Sequence, residues 1–362
     1  RYLQLARAGG NYLVQHIPSE PPARGDAGLY TGVAGVGFVL HEVFLATNDK
    51  TYLAGAQTCV RVLEAKARRA SDGDSWGVHW NDANEIVYGT AGIGLFMLYA
   101  ASEMADPRAL GLAEACGRRL LQTARPAKEG GLKWARWPGY PQLQPNFSHG
   151  GAGVCYFLAT LYQKTHKREF LDGALAGARY LRAVGGENCL VFHDEPGGKS
   201  LFYLSWCHGP PGTARLYYRL HQITGDEKWL DMIKRSARAV MESGIPEKRP
   251  PGFWNNVSVC CGNAGVADFF LELHQLTGDE RYLAFSKRCA TDLLARATVD
   301  EQGMRWVQAE HRIHPKLLQA QTGYAQGAAG IGILLLRFDA RERNREIRIT
   351  LPDSPFRRRR GR

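Results

Sequence analysis

The glycine pair GxxG recurs six times along this chain, each time followed by an apolar run. It occurs as TGVAGVGFVL (Gly32, Gly35), YGTAGIGLFML (Gly89, Gly92), HGGAGVCYFLA (Gly150, Gly153), HGPPGTARLYY (Gly209, Gly212), CGNAGVADFFL (Gly262, Gly265) and QGAAGIGILLL (Gly327, Gly330), with successive first glycines 53 to 65 residues apart. Self-similarity at a fixed period means that one supersecondary unit has been copied. A second element follows several of the apolar runs: LATNDKTYL, YQKTHKREFL, HQITGDEKWL and HQLTGDERYL, a polar turn ahead of an aromatic residue and leucine. The segment WLDMIKRSARAVMES then places Leu230, Ile233, Ala237 and Val240 on one helical face. Each unit therefore reads as helix, tight turn, helix.

Glycine- and tryptophan-rich segments with little helical period precede the later pairs: WGVHWND (76–82), GLKWARWPGY (131–140), GFWNN (252–256) and GMRWVQ (303–308). They read as loops or short hairpins. Helices apolar on more than one face must stack side by side, and a closed ring leaves no exposed terminal unit. The predicted fold class is thus all-α, an α/α toroid of six inner and six outer helices, with an open solenoid as the structural alternative. One domain is expected over 1–362, with core repeats at 25–340 and a basic tail at 341–362. The glycines are expected to permit an unusual backbone and close packing where the chain enters each inner helix.

The 362 residues are 44% hydrophobic, enough for a substantial core, and no apolar stretch is long and glycine-free enough to cross a bilayer. The chain opens on Arg1 without a signal sequence and is read as an excised piece of a longer protein. Part of the net charge of +11 lies in the terminal FRRRRGR. No aromatic-interleaved basic motif accompanies it, so nucleic acid is not an expected partner, while an acidic peptide or glutathione suits a basic surface. Eight cysteines in a chain too large to need disulfide staples point to the cytoplasm. Cys59, Cys116 and Cys289 lie in helix-like patterns and read as small buried hydrophobes.

The other informative cysteines stand at two entrances. SWCHGPPGTARL (205–216) and VCCGNAGVADFF (259–270) each put cysteine ahead of a glycine pair. On a closed ring these fourth and fifth entrances are neighbours, so Cys207 is expected beside Cys260 and Cys261. Three thiolates with no redox CxxC spacing read as a zinc site with an open fourth position. A Cys260–Cys261 disulfide, or one of the two facing the core, are the other readings. Helix N-termini would help stabilise such thiolates. His149, in NFSHGGAG, occupies an entrance without a cysteine and suits a general acid or base, or else packs at the helix mouth. His208 is a second proton donor or a residue supporting the metal ligands. Asp82 and Glu85, in WNDANEIVYG, could bind a substrate amide or orient a histidine, or lie in a solvated loop. Arg215 is either an anion contact or a salt-bridge residue.

At these residues the sequence resembles the lanthionine synthetase C-like family, over nearly the whole chain: six GxxG repeats with SHGGAG, WCHGPPG and CCGNAG. The resemblance implies an α/α toroid whose Zn2+ binds a cysteine thiolate that adds to dehydroalanine or dehydrobutyrine, giving a lanthionine or methyllanthionine thioether. Cys207 and Cys260 match two family zinc ligands. Cys261 falls where many members have histidine, and the all-cysteine form occurs among broad-specificity cyclases. His149 matches the family's active-site histidine, and Glu85 or Asp82 approximates its catalytic aspartate. Tyr203 stands in the substrate-binding position where members often carry arginine. The expected substrate is a dehydrated precursor peptide, or glutathione with a dehydrated protein segment. No kinase-like glycine loop or lyase motif is present, so dehydration would fall to a separate dehydratase or kinase-lyase enzyme or domain. A non-catalytic zinc protein that holds glutathione or a peptide is the alternative, and a carbohydrate-active toroid would instead need paired acids at the ring mouth.

Overall fold

A computed structural model describes residues 1–18, 26–72, 75–193, 201–301, 303–345 and 351–356. Much of the expected basic tail, 346–350 and the 357–362 run included, lies outside them. The elements follow in order: α1 (Tyr2–Gln15), α2 (Val33–Thr47), α3 (Lys50–Lys66), β1 (Arg68–Asp72), β2 (Ser75–His79), α4 (Thr90–Glu103), α5 (Ala109–Thr123), β3 (Arg125–Pro126), β4 (Leu132–Lys133), α6 (Gly151–Thr165), α7 (Arg168–Val184), α8 (Pro210–Thr224), α9 (Lys228–Glu242), α10 (Asn263–Thr277), α11 (Glu280–Ala295), β5 (Thr298–Asp300), β6 (Gly303–Arg305), β7 (Val307–Ala309), β8 (Leu318–Ala320) and α12 (Ala328–Glu342). Among the described residues the strands pair as four antiparallel hairpins, β1–β2, β3–β4, β5–β6 and β7–β8. The chain forms two compact units: Arg1–Leu143 with His149–Tyr180 and Leu351–Asp353, and Gln144–Ser148 with Leu181–Thr350 and Ser354–Arg362.

Within each unit the same two kinds of helix alternate. Of those beginning at a glycine pair, α4 and α6 are buried nearly all round, with every residue from Thr90 to Ala100 and from Gly151 to Ala159 buried, whereas α2 and α12 leave Val39 and Leu336 exposed. Their partners are one-sided. In α9 the buried face is Trp229, Met232, Ile233, Ser236, Ala237 and Val240. Leu230, expected on that face, lies at its rim, because the larger Trp229 takes the inward position. In the sixth repeat α12 is the last helix among the described residues, and α1 at the other end of the chain packs on α2 and α3.

The turn between paired helices explains the TGD repeats. Gly225 and Gly278 end α8 and α10 in the left-handed region, with φ of 67° and 73°, where glycine carries no Cβ penalty. The following aspartate then caps the next helix: Asp279 accepts from Arg281 N, as Asp49 accepts from Thr51 N at α3.

The tryptophan segments close the far end of the pairs. Trp80, Trp134 and Trp306 donate their indole N–H to Leu63, Leu120 and Leu293 O at 2.6, 2.8 and 2.8 Å. Each acceptor belongs to the last turn of α3, α5 or α11, where helix geometry leaves carbonyls without an internal partner. Cys59, Cys116 and Cys289 sit one turn earlier on the same helices, fully buried. Burial pushes the Cys59 and Cys289 thiols up to about 12 and Cys116 still further, so these three behave as inert hydrophobes.

Candidate metal centre and histidine pair

The helix entrances are built to one plan. The first glycine of each pair is the N-cap in extended backbone, which any residue adopts, so an unusual φ is not what requires glycine. Close approach is. A Cβ on Gly212 would be driven into the Trp206 carbonyl and the Phe147 side chain, and one on Gly265 into the Val259 carbonyl and Ser205 Oγ. The loop before each helix is therefore folded back onto the helix start. Pro210 and Pro211 open α8, where an absent N–H costs nothing.

That folding brings the residues two before each pair into a backbone chain. Ser148 N donates to Cys207 O, Cys207 N to Cys260 O, and Cys260 N to Ala325 O, each at 2.9 Å. Tyr30 N to Val87 O repeats the bond in the other unit, also at 2.9 Å. Cys207 and Cys260 are thus equivalent positions of consecutive repeats joined by a hydrogen bond. Cys261 is one residue further on, the position held by His208 and His149 in the preceding repeats. Ser205 Oγ donates to Gly262 O at 2.9 Å, tying the two entrances a second time. The Cys261 amide donates to Ser258 Oγ, whose hydroxyl is itself held by Asn256.

The consequence is three sulfurs in one place. Cys207 Sγ lies 3.3 Å from Cys261 Sγ, Cys261 Sγ lies 3.4 Å from Cys260 Sγ, and all three fall within 4.8 Å of one another. Cys207 and Cys261 are buried and Cys260 half-buried, and all are free thiols, which sets aside the disulfide reading. Tetrahedral zinc with Zn–S bonds of about 2.3 Å spaces its sulfurs about 3.8 Å apart, somewhat more than the 3.3 and 3.4 Å separations here. Burial, followed by hydrogen bonding and like charge from its two neighbours, holds the Cys207 thiol well above its ordinary value. At Cys260 a hydrogen bond with Cys207 acts downward, but Cys261, burial and the Glu310 carboxylate outweigh it and the thiol is again raised. Three sulfurs gathered this closely, with Cys207 and Cys260 held above the ordinary thiol value, are a donor set that fits a dication, whose charge makes adjacent thiolates favourable. The cluster could hold a metal.

Aromatic rings border the cluster. His208 is buried with its ring 4.3 Å from that of His193 and 5.0 Å from Tyr203. Tyr203 stacks on His193 at 4.3 Å and 9°, and meets Trp254 edge-on at 5.1 Å. Burial pushes the Tyr203 hydroxyl up to about 12 against the opposing influence of Arg312. Arg215 donates from Nε to Pro211 O at 3.3 Å, and its guanidinium lies 5.9 Å from the Phe147 ring. His193 and Arg312 were not foreseen: they lie in irregular segments with no counterpart in the repeats. His221 and His274 sit in the last turns of α8 and α10, bonded to Asp226 O and Glu280.

In the other unit His149 Nδ1 is 2.6 Å from Glu85 Oε2. Glu85 is 1% exposed and also accepts from Val87 N at 3.2 Å and Tyr88 N at 2.7 Å. A buried carboxylate with three donors is locked in place, so His149 is oriented by a fixed partner. Asp82 faces away: its side chain is 61% exposed and lies 3.7 Å from His79. Of the two carboxylates, Glu85 is the one that orients a histidine.

The family model for lanthionine synthetase C-like proteins matches residues 11–351. The chain belongs to the lanthionine synthetase C-like family. Among solved structures, nisin cyclase is similar with a TM-score of 0.51 and 14% identity, covering 94% of this chain and 93% of that one. An unsaturated glucuronyl hydrolase specific for heparin gives 0.58 and 12%, covering 94% and 96%. A GH76 α-mannanase of Bacteroides thetaiotaomicron gives 0.57 and 12%, also covering 94% and 96%. At such identities the likeness carries the fold, and the fold class of this lanthionine synthetase C-like chain is the predicted all-α, α/α toroid. No helix among the described residues is long and apolar enough to cross a membrane.

Proposed function

We propose that the protein is a zinc-dependent cyclase that joins a cysteine thiol to a dehydroalanine or dehydrobutyrine residue of a dehydrated peptide. The observation that carries this reading is the convergence of Cys207, Cys260 and Cys261 at two consecutive helix entrances of a lanthionine synthetase C-like chain. Zinc held by these three sulfurs would supply activation of a substrate thiol at the remaining position, lowering its pKa so that it reacts as thiolate.

The chain's own residues supply the rest. In the addition, the thiolate sulfur forms a bond to the β-carbon, the carbon–carbon double bond breaks, and its electron pair moves onto the carbonyl as an enolate. A proton returned to the α-carbon then gives the thioether, so atoms and charge balance. His208, buried against His193 and Tyr203 beside the cluster, is the proton donor we assign to that step. His149, oriented by Glu85, is assigned to the same reaction as general acid or base. The aromatic wall of Tyr203, His193 and Trp254 excludes water, which strengthens the electrostatic interactions acting on the enolate. The dehydrated substrate would come from a dehydratase or kinase-lyase enzyme or domain outside these residues.

Incubating the zinc-loaded protein with a dehydrated, cysteine-containing peptide and then alkylating it tests the reading. The cyclised peptide keeps its mass and escapes alkylation, and Cys207→Ala leaves it fully alkylated. Tight peptide binding with complete alkylation by the wild type would replace the cyclase with a non-catalytic peptide- or glutathione-binding protein, a reading favoured by tyrosine at position 203.

A further inference from the structure

The β7–β8 hairpin is rooted beside the cysteine cluster. Ala309 N donates to Asn255 O at 2.9 Å, Trp254 Nε1 and Asn256 Nδ2 donate to Ala309 O at 2.9 and 3.0 Å, and Val257 N donates to Gln308 Oε1 at 2.8 Å. These bonds fasten the first strand to the loop that runs directly into Cys260 and Cys261. Two residues beyond that strand reach the surroundings of the cluster. The Glu310 carboxylate is held by Gln321 Nε2 at 2.7 Å. Arg312 interacts with the Tyr203 hydroxyl, and the Tyr203 ring lies 5.0 Å from that of His208, the residue after Cys207, and 5.1 Å from that of Trp254 at the hairpin's root.

Arg312 is, among the described residues, a cation without a counter-ion. Among the described residues no carboxylate forms an ion pair with it, and its Nε is shut off from solvent with no hydrogen-bond partner. A shielded guanidinium N–H is costly to leave unmet, and its planar fork matches a carboxylate. Glu310, the acid nearest in sequence, is engaged by Gln321 and does not neutralise it. We infer that Arg312 is the anion-recognising residue of the cysteine-cluster pocket and binds the carboxylate of a thiol-bearing ligand whose sulfur faces Cys207, Cys260 and Cys261. Tyr203 anchors the guanidinium, so ligand charge and ligand sulfur are read by one wall of the same unit. The inference rests on the reading of the cluster as a thiol-binding metal centre.

Calorimetric titration of the zinc-loaded full chain with two matched thiols tests it. N-acetylcysteine carries a carboxylate and N-acetylcysteamine lacks it. The wild type is expected to bind the first roughly tenfold more tightly, the scale of one charge-assisted hydrogen bond. Arg312→Gln should erase that preference while leaving the affinity for N-acetylcysteamine unchanged, which also shows that the variant folds, and Arg312→Lys should keep part of it. Equal affinities in the wild type, or a preference that survives in Arg312→Gln, overturn the inference and leave the metal-centre reading standing. A loss for both thiols alike in Arg312→Gln also overturns it, assigning the residue to charge balance of the cluster. A wild type that binds neither thiol overturns the metal-centre reading and this inference with it.

Discussion

The Glu85–His149 pair and the Cys207–Cys260–Cys261 cluster occupy the same kind of place, the folded-back loop ahead of an inner helix, yet they differ in what they lack. Glu85 is held by two backbone amides and a histidine, so its charge is met by donors of its own unit. The cysteine cluster gathers three sulfurs, and burial together with the neighbouring thiols holds Cys207 and Cys260 above the ordinary thiol value. The difference teaches that one backbone plan serves two electrostatic ends. When the loop supplies its own donors the site is complete, and when it gathers donors of a single kind it calls for a cation from outside.

Removing a thiol should widen the contrast most. Cys207→Ala is expected to weaken zinc binding by at least about a hundredfold in chelator competition, beyond what loss of a supporting residue costs. Zinc content that stays stoichiometric would break the comparison. Glu85→Gln, by contrast, should leave the metal in place and lower turnover about tenfold to a hundredfold. It should also destabilise the fold by about 1–3 kcal/mol, read from denaturation midpoints, because amides that met a charge then meet a neutral acceptor.

The two sites should also part with pH. The raised Cys207 and Cys260 thiols stay protonated in the folded metal-free protein at a pH where the unfolded chain ionises. Their contribution to stability is therefore fully present below about pH 8.5, the free thiol value, and is lost as pH climbs towards their raised values. Thermal melts of the metal-free protein should show that decline, and zinc should abolish it, since ligation releases the protons. Zinc affinity itself should rise with pH for the same reason.

Smaller effects sharpen the comparison at the glycines. Gly265→Ala and Gly92→Ala each force a Cβ onto a backbone carbonyl, of Val259 or Ile86, and should each cost about 1–3 kcal/mol. Only Gly265→Ala, whose strained carbonyl directly precedes Cys260, should lower zinc affinity as well. Least of all, Asp82→Asn should change turnover less than about twofold, because an exposed carboxylate is already well solvated.

Much of this was legible before any coordinates. The GxxG period marked the inner helices, the TGD turns marked their ends, and the matching places of Cys207 and Cys260 in consecutive repeats foretold their meeting. Asp82 and Glu85 were not separable in this way. They share one irregular loop, and the amides of Val87 and Tyr88 that turn Glu85 inward exist only once the loop folds back.

What the sequence determined by itself is what repetition records: a unit copied six times has local rules, and local rules set helices, caps and equivalent positions. Tertiary structure alone decided what has no copy. His193 and Arg312 come from segments without period, and they reach Tyr203 through ring stacking and a hairpin anchored far along the chain. The glycines too needed three dimensions for their explanation, since a close carbonyl, and not the backbone angle, excludes a side chain. Spacing along a chain encodes periodic contacts, whereas contacts made once depend on where the folded backbone happens to bring them.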